Sequence, residues 1–349
     1  MKNNWPTRSG FAVILAGCIW LFGCSSLPPG NVITGTNTGT GATKPAATVA
    51  YAWGVSAGNG DPLTILEYST VAPNTGSVIG TLTLPALFNG GPIASDSLGQ
   101  LYVGGLNSSN QPQILIYPAN STGTATPSRI LDVSNAYEPT TLAVGPGGLL
   151  YVGTVDNAAN AGVSVYSADA SGPAVPLRTI QLANNQDVLL DLAADAAGDI
   201  YAVRWLTSDV SSYIDIFAPD ASGSAAPVRT ITFSSLVYGV AVDTGGDLFA
   251  NTCITAASCG IEEFSPDANG VANPIKTIHW TNQPAGMQYW GGRVRLDSAG
   301  YIFATAGFRN PSTAVVTFFI YGVGPKATGN AVPAVQITEE TPLSAFAIH

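Results

Sequence analysis

The sequence predicts an all-β fold: a six-bladed β-propeller of four-stranded antiparallel blades, its ring closed by the C-terminal strand in the first blade. Three observations lead there. The phrase "ASGPAVPLRTI" at Ala170–Ile180 returns as "ASGSAAPVRTI" at Ala221–Ile231, fifty-one residues on. A short apolar strand ending in Asp-x-x-Gly recurs at a similar period. The two ends of the chain carry incomplete units that complement one another.

Each repeat reads in the same order. The inner strand comes first and ends in "IASDSLG", "LAVGPGG", "LAADAAG", "VAVDTGG" or "VRLDSAG", with Gly145 replacing the acid in the second. Asp at the first position and Gly at the fourth suit a type I turn. Asp96, Asp195, Asp243 and Asp297 are therefore read as turn caps joining strands one and two. The second strand has an aromatic three positions after that glycine: Tyr102, Tyr151, Tyr201, Phe249 or Phe303. The third strand ends in Tyr117, Tyr166, Phe217, Phe264 or Tyr321. A proline follows ten residues later in four units and twelve in the last: Pro127, Pro176, Pro227, Pro274 and Pro333. The fourth strand begins after it as the outer edge. Proline lacks a donor and arginine adds charge, so the phrase is expected to keep a further strand from adding there.

Residues 51–85 supply three strands of a weaker first unit without an inner strand. At the other end, "PLSAFAIH" has the inner-strand pattern, Phe346-Ala347-Ile348 matching Val240-Ala241-Val242, and nothing to follow it. The two ends are expected to share one blade, the tail lying innermost beside residues 49–55, which leaves no open seam in the ring. Ala94, Ala143, Ala193, Ala241 and Ala347 stand mid-strand where six inner strands converge; Arg295 takes that place in the sixth unit.

The unit resembles the NHL-repeat type of six-bladed propeller, with a core pattern "G-I-A-V-D-x-x-G-N-L-Y-V". "GVAVDTGGDLFA" (Gly239–Ala250) and "LAADAAGDIYAV" (Leu192–Val203) carry the likeness, which covers residues 90–349 well and 50–90 poorly. It implies a fold and hardly an activity, because propellers host binding proteins and enzymes alike.

Ahead of the propeller, expected over residues 50–349, "MKNNWPTRSGFAVILAGCIWLFGCSS" has a cationic start and an apolar run from Phe11 to Phe22. The run is shorter than the roughly 20 residues a spanning helix needs, so residues 1–23 read as an export signal. "LFGCSS" resembles the lipobox of bacterial lipoproteins and makes Cys24 the expected lipidation site; "LAGC" at Cys18 is the alternative, but would leave "IWLFG" on the mature chain. Residues 24–49, rich in Ser, Thr, Gly and Pro, read as a tether. The expected location is extracytoplasmic, on a membrane-anchored lipoprotein of the periplasmic or cell-surface side.

Charged residues make up only 10% of the 349, and the formal charge is −10. That balance repels phosphate backbones and argues against nucleic-acid binding. Cys253 and Cys259 in "NTCITAASCG" are expected to form a disulfide pinning the loop between strands two and three of the fifth blade, since an exported chain meets an oxidising compartment. Zinc is the weaker reading of that pair.

Catalysis in a propeller channel of the lyase or lactonase kind needs several convergent His or carboxylate ligands. The chain has two histidines, His279 and His349, the latter its last residue. No catalytic residue, metal ligand or cofactor is assigned. The expected function is a binding or scaffolding module, a monomeric propeller, for a protein or glycan ligand of the cell envelope; the alternative is a channel lyase or lactonase. The clue to a site is irregularity. The link after the fifth blade, "HWTNQPAGMQYWGGR" (His279–Arg293), is long and bears Trp280, Tyr289, Trp290 and Arg293. It is expected beside "RWLTSD", with Arg204 and Trp205, and "GFRNPS", with Arg309. Such rings and arginines suit a sugar or peptide, or else pack on their neighbours. Arg295 is expected to line the channel or to pair with a carboxylate of the adjacent blade, Glu263 being a candidate.

Overall fold

The computed structural model describes residues 49–53, 62–70, 76–133, 138–155, 161–182, 187–206, 211–255, 258–280, 288–313, 316–339 and 345–348. The expected signal segment, Cys24 and the tether up to residue 48 lie outside these residues, as does His349.

Blade one begins with β1 (Val49–Trp53), β2 (Thr64–Ser69) and β3 (Val78–Thr83). Blade two is β4 (Asn89–Ser95), β5 (Leu101–Leu106), β6 (Pro112–Tyr117) and β7 (Arg129–Asp132). Blade three is β8 (Pro139–Val144), β9 (Leu150–Val155), β10 (Ala161–Tyr166) and β11 (Arg178–Gln181). Blade four is β12 (Asp187–Ala194), β13 (Ile200–Leu206), β14 (Ser212–Phe217) and β15 (Arg229–Phe233). Blade five is β16 (Leu236–Val242), β17 (Leu248–Thr255), β18 (Ser258–Phe264) and β19 (Lys276–Trp280). Blade six is β20 (Gln288–Leu296), β21 (Ile302–Arg309), β22 (Val316–Val323) and β24 (Val335–Glu339), with the short β23 (Gly329–Ala331) between the last two. The chain ends in β25 (Phe346–Ile348), which pairs antiparallel with β1, Tyr51 opposite Ala347. Six sheets therefore stand in the ring, and the tail completes the blade begun at the head.

The turn chemistry accounts for the repeated Asp-x-x-Gly. Asp96 Oδ1 accepts from the backbone N–H of Leu98 and of Gln100, each at 2.9 Å, and Asp195, Asp243 and Asp297 cap their turns likewise. The glycine at the fourth position has φ between 78° and 89° in all four, where a side chain would be strained. Apolar side chains from facing blades fill the seams. Between blades one and two, for example, Tyr51, Ile65 and Leu82 meet Leu101, Val103 and Leu115.

The outer edge differs from expectation. Proline and arginine do not keep it unpaired; the next blade covers it. Gly172 of blade three donates to Ile130 O at 2.7 Å and accepts from Asp132 N at 2.8 Å. Gly123, Gly223 and Gly270 make the same parallel bridges to blades one, three and four, and β23 extends the bridge on β19 into a short parallel strand. The arginine of the phrase closes this latch. Arg129 Nη1 donates to Ala168 O (2.6 Å) and Ala170 O (3.3 Å), and Arg229 Nη1 to Pro266 O (2.5 Å) and Ala268 O (3.1 Å). The phrase is thus part of an interblade clasp: its glycine grips the blade before, and Arg129 and Arg229 grip the blade after.

The sixth blade also corrects the aromatic register. Val323, not Tyr321, lies opposite Ile302, as Phe264 lies opposite Leu248. Counted from Val323, Pro333 falls ten residues on, as in the other blades.

Candidate functional site

All five inner strands from β4 to β20 break register at the same height, between Gly90 and Ile93, Pro139 and Thr141, Leu189 and Asp191, Val237 and Gly239, and Gly291 and Val294. Bulges re-aim side chains, and here they set Asp191 and Arg293 beside the axis. Asp191 is fully buried. It takes Arg295 in a two-pronged pair, Nη1 to Oδ2 at 2.8 Å and Nη2 to Oδ1 at 3.0 Å, and Arg293 Nη1 lies 3.0 Å from Oδ1. Thr141 Oγ1 donates to Oδ1 at 3.2 Å and the Val240 N–H to Oδ2 at 3.1 Å. Arg293 also donates to Leu190 O, and its own N–H to Thr305 Oγ1 at 2.8 Å. One carboxylate ties together blades three, four, five and six.

Glycines make room for this hub. A Cβ on Gly239 would stand 2.7 Å from Gly292 O and 2.8 Å from the Arg293 Cα, so the inner strands of blades five and six approach backbone to backbone. Burial alone would push the Asp191 pKa up, but the guanidiniums of Arg295 and Arg293 and the Val240 N–H outweigh it and hold the carboxyl below its ordinary range. Burial pulls the Arg293 pKa down, against the opposing pull of Asp191. Two guanidiniums sharing one carboxylate leave one positive charge in excess.

Beside the hub lies a cavity of about 190 Å³ on the axis. Its wall is Ala94, Ala143, Ala193, Ala241 and Ala347 with their neighbours, and Arg295. It occupies the half of the channel nearer the Asp-x-x-Gly turns, where the aspartates spend their oxygens on turn amides. Arg295 thus both lines the channel and pairs, but its partner is Asp191 of blade four, across blade five. Glu263 instead takes Lys276 at 2.5 Å within its own blade.

The other expected site residues fall into four groups. Trp280 and Tyr289 are buried in the seam of blades five and six, in a row of rings. Trp280 stacks on Tyr321 (4.9 Å), Tyr321 on Phe319 (5.3 Å), Phe319 on Phe308 (5.0 Å), and Phe308 meets Tyr289 at 5.7 Å. Burial pushes the Tyr289 pKa up to about 12. Arg204 is buried against Asp215, Nε to Oδ2 at 2.6 Å, and its guanidinium lies 5.2 Å from the Tyr213 ring. Trp205, next to last in β13, and Arg309, last in β21, are half-buried. Trp290 lies in β20 opposite Gly307, and its side chain is outside the described set.

Cys253 and Cys259 are disulfide-bonded, directly opposite one another on β17 and β18, so the bridge is a rung of the ladder as well as a pin on the loop. The disulfide suggests an extracytoplasmic location, and among the described residues no helix is long and apolar enough to cross a membrane. Among the described residues no three of His, Cys, Asp and Glu come together.

Asp191 was the residue that sequence reasoning missed. The signal was available: aligned by their turns, the inner strands place Pro92, Thr141, Asp191, Gly239, Arg293 and Ala345 at one height, with an acid and a base on one axis.

No family model matches the sequence, and no curated protein matches it either. Solved structures do. A Bacteroides caccae protein described as of unknown function aligns over 86% of this chain and 99% of its own, with a TM-score of 0.57 at 10% identity. A PQQ-bound aldose sugar dehydrogenase from Streptomyces coelicolor covers 72% of this chain and 81% of its own, with a TM-score of 0.47 at 14% identity. These likenesses concern the fold alone.

Proposed function

We infer that this chain is a lipid-anchored, extracytoplasmic binding module of NHL-like type, which takes an acidic group of a protein or glycan ligand at its axis. One observation carries the reading: at the cavity wall a guanidinium replaces the alanine of the other inner strands, and the carboxylate behind it is shared with a second guanidinium. Arg295 is the one charged side chain of that wall, and a concave surface focuses its field. That favours a carboxylate or similar anion over a neutral group. Lipid attachment at Cys24 would hold the module at a membrane, in keeping with the disulfide.

Calorimetric titration of purified protein with glucuronate, with glucose as the neutral control, tests the class of ligand. Glucuronate is expected to bind and glucose not; Arg295→Gln should weaken the former at least tenfold. Capture from envelope extract with Arg295→Gln and Trp290→Ala in parallel separates axis from loops. Loss with Trp290→Ala alone would move the site to the loop face and end the channel reading.

A further inference from the structure

A guanidinium has five N–H groups, and the hub occupies three of those on Arg295. Nη1 gives one to Asp191 Oδ2 at 2.8 Å and the other to Val294 O at 2.8 Å, with Val240 O further off at 3.5 Å. Nη2 gives one to Asp191 Oδ1 at 3.0 Å. Since the two carboxylate oxygens are taken by Nη1 and Nη2, Asp191 meets the end of the guanidinium. Val294 O takes the remaining hydrogen of Nη1, on the Cδ side. One edge is left: the Nε–H and the second Nη2–H, parallel and side by side. Among the described residues neither has a partner.

Elsewhere in the chain this edge is put to use. Arg204 turns its Nε to Asp215 Oδ2 at 2.6 Å, in a buried pair. The Nε of Arg178 is buried without a partner, whereas that of Arg295 is not buried. Arg295 keeps 17% of its side chain exposed, and the surface it lines is the axial cavity. Nor is the edge free to wander. Three hydrogen bonds fix the guanidinium plane, so the ordering cost of the side chain is met before a ligand arrives. The charge is set as well. Arg293 and Arg295 share the single charge of Asp191, which leaves a place for one negative charge and not two. A second would stand against the alanines of the wall with no cation of its own.

We propose that the cavity selects a planar, singly charged oxyanion, a carboxylate taken edge-on by Nε and Nη2 of Arg295, with the Asp191 hub left intact. This rests on the reading of the axis as an anion site and adds its selectivity. Two parallel N–H groups match the two oxygens of a carboxylate; a spherical anion meets only the charge. The cavity of about 190 Å³ has the volume of about six waters. It therefore holds the acidic end of a ligand, one sugar acid or one terminal residue of a peptide, and not a run of them. Asp191 is a positioning residue here: it turns the guanidinium so that the side-on edge stays open.

The test is calorimetric titration of the full chain at matched ionic strength. Glucuronate and N-acetylglycine serve as the sugar and peptide-end carboxylates; nitrate, chloride and sulfate probe shape and charge by displacing them. Nitrate, planar and singly charged, is expected to displace the carboxylate, and chloride and sulfate to do so far less well. Arg295→Lys keeps the charge and loses the edge. It should weaken carboxylate binding about tenfold, the worth of one hydrogen bond to a charged group, and bring nitrate level with chloride. Arg293→Lys disturbs the same hub but leaves the edge, and should keep the preference for nitrate. If either variant fails to fold, the order of nitrate and chloride in the wild type decides. Chloride or sulfate competing as well as nitrate, or Arg295→Lys binding as tightly as the wild type, would overturn the proposal and leave a bare cation at the axis. No binding of any anion would end the axis reading itself. Binding of glucuronate alone assigns a sugar acid, and of N-acetylglycine alone a peptide end.

Discussion

Replacing Asp191 with asparagine is the severest small change the axis offers. The side chain keeps its shape but loses the charge that two guanidiniums face, one of them through two hydrogen bonds. Removing one partner of a buried ion pair costs about 3–5 kcal/mol, because the charge left behind is uncompensated. With an unfolding entropy of roughly 2.1 cal/mol/K per residue over about 300 residues, 4 kcal/mol corresponds to about 6 °C in Tm. The pH dependence should change as well. A folded pKa held below the unfolded value of about 3.9 contributes stability that is present above that value and lost as pH falls through the folded pKa. Denaturant titrations at pH 7 and pH 3 should therefore show a wild-type loss on acidification that is smaller in Asp191→Asn. Adding Arg293→Ala to the variant should recover part of the loss, since one stranded cation goes with it. A variant that melts within a degree of wild type at pH 7 would show that the hub carries no structural charge balance, and the account of the axis would fail.

Two further outcomes follow from the same geometry. Reducing Cys253–Cys259 opens a ring of sequence separation 6, worth about 2 kcal/mol on the loop-entropy relation, so the guanidinium midpoint should fall with reductant and not fall further in a Cys253→Ala/Cys259→Ala variant. Gly239→Ala drives a methyl against the backbone of Gly292 and Arg293, atoms that cannot step aside singly. A loss of about 1–3 kcal/mol is expected, measured by the same titration, and an unchanged midpoint would contradict the close approach of blades five and six.

What the sequence revealed and what it hid divide along physical lines. Blade number, the Asp-x-x-Gly turns and ring closure were readable because each depends on local chemistry repeated at a fixed period. Beside Leu192, Asp191 looks like an ordinary polar residue in an apolar strand; its role appears only when six strands are set around an axis. Trp280 and Tyr289 look like ligand-binding rings for the same reason, since their partners Tyr321 and Phe308 come from other strands and one of them from another blade. The clasp was half legible. The phrase was seen to repeat, but an edge strand with proline and arginine reads as protected when the next blade's glycine is out of sight.

A repeat protein supplies its own control, because each blade shows what a position needs for folding alone. By that standard the alanines of the inner strands are structural, present because the blades must converge, and Arg129 and Arg229 are structural because each holds the next blade. Arg295 fails the comparison. At Arg295 a charge appears where folding asks only for a methyl, and the chain answers it with a buried acid two blades away. Burying that pair has a desolvation cost. A cost borne at one position that the other blades avoid is where selection for something other than folding is to be sought, an anion at the axis.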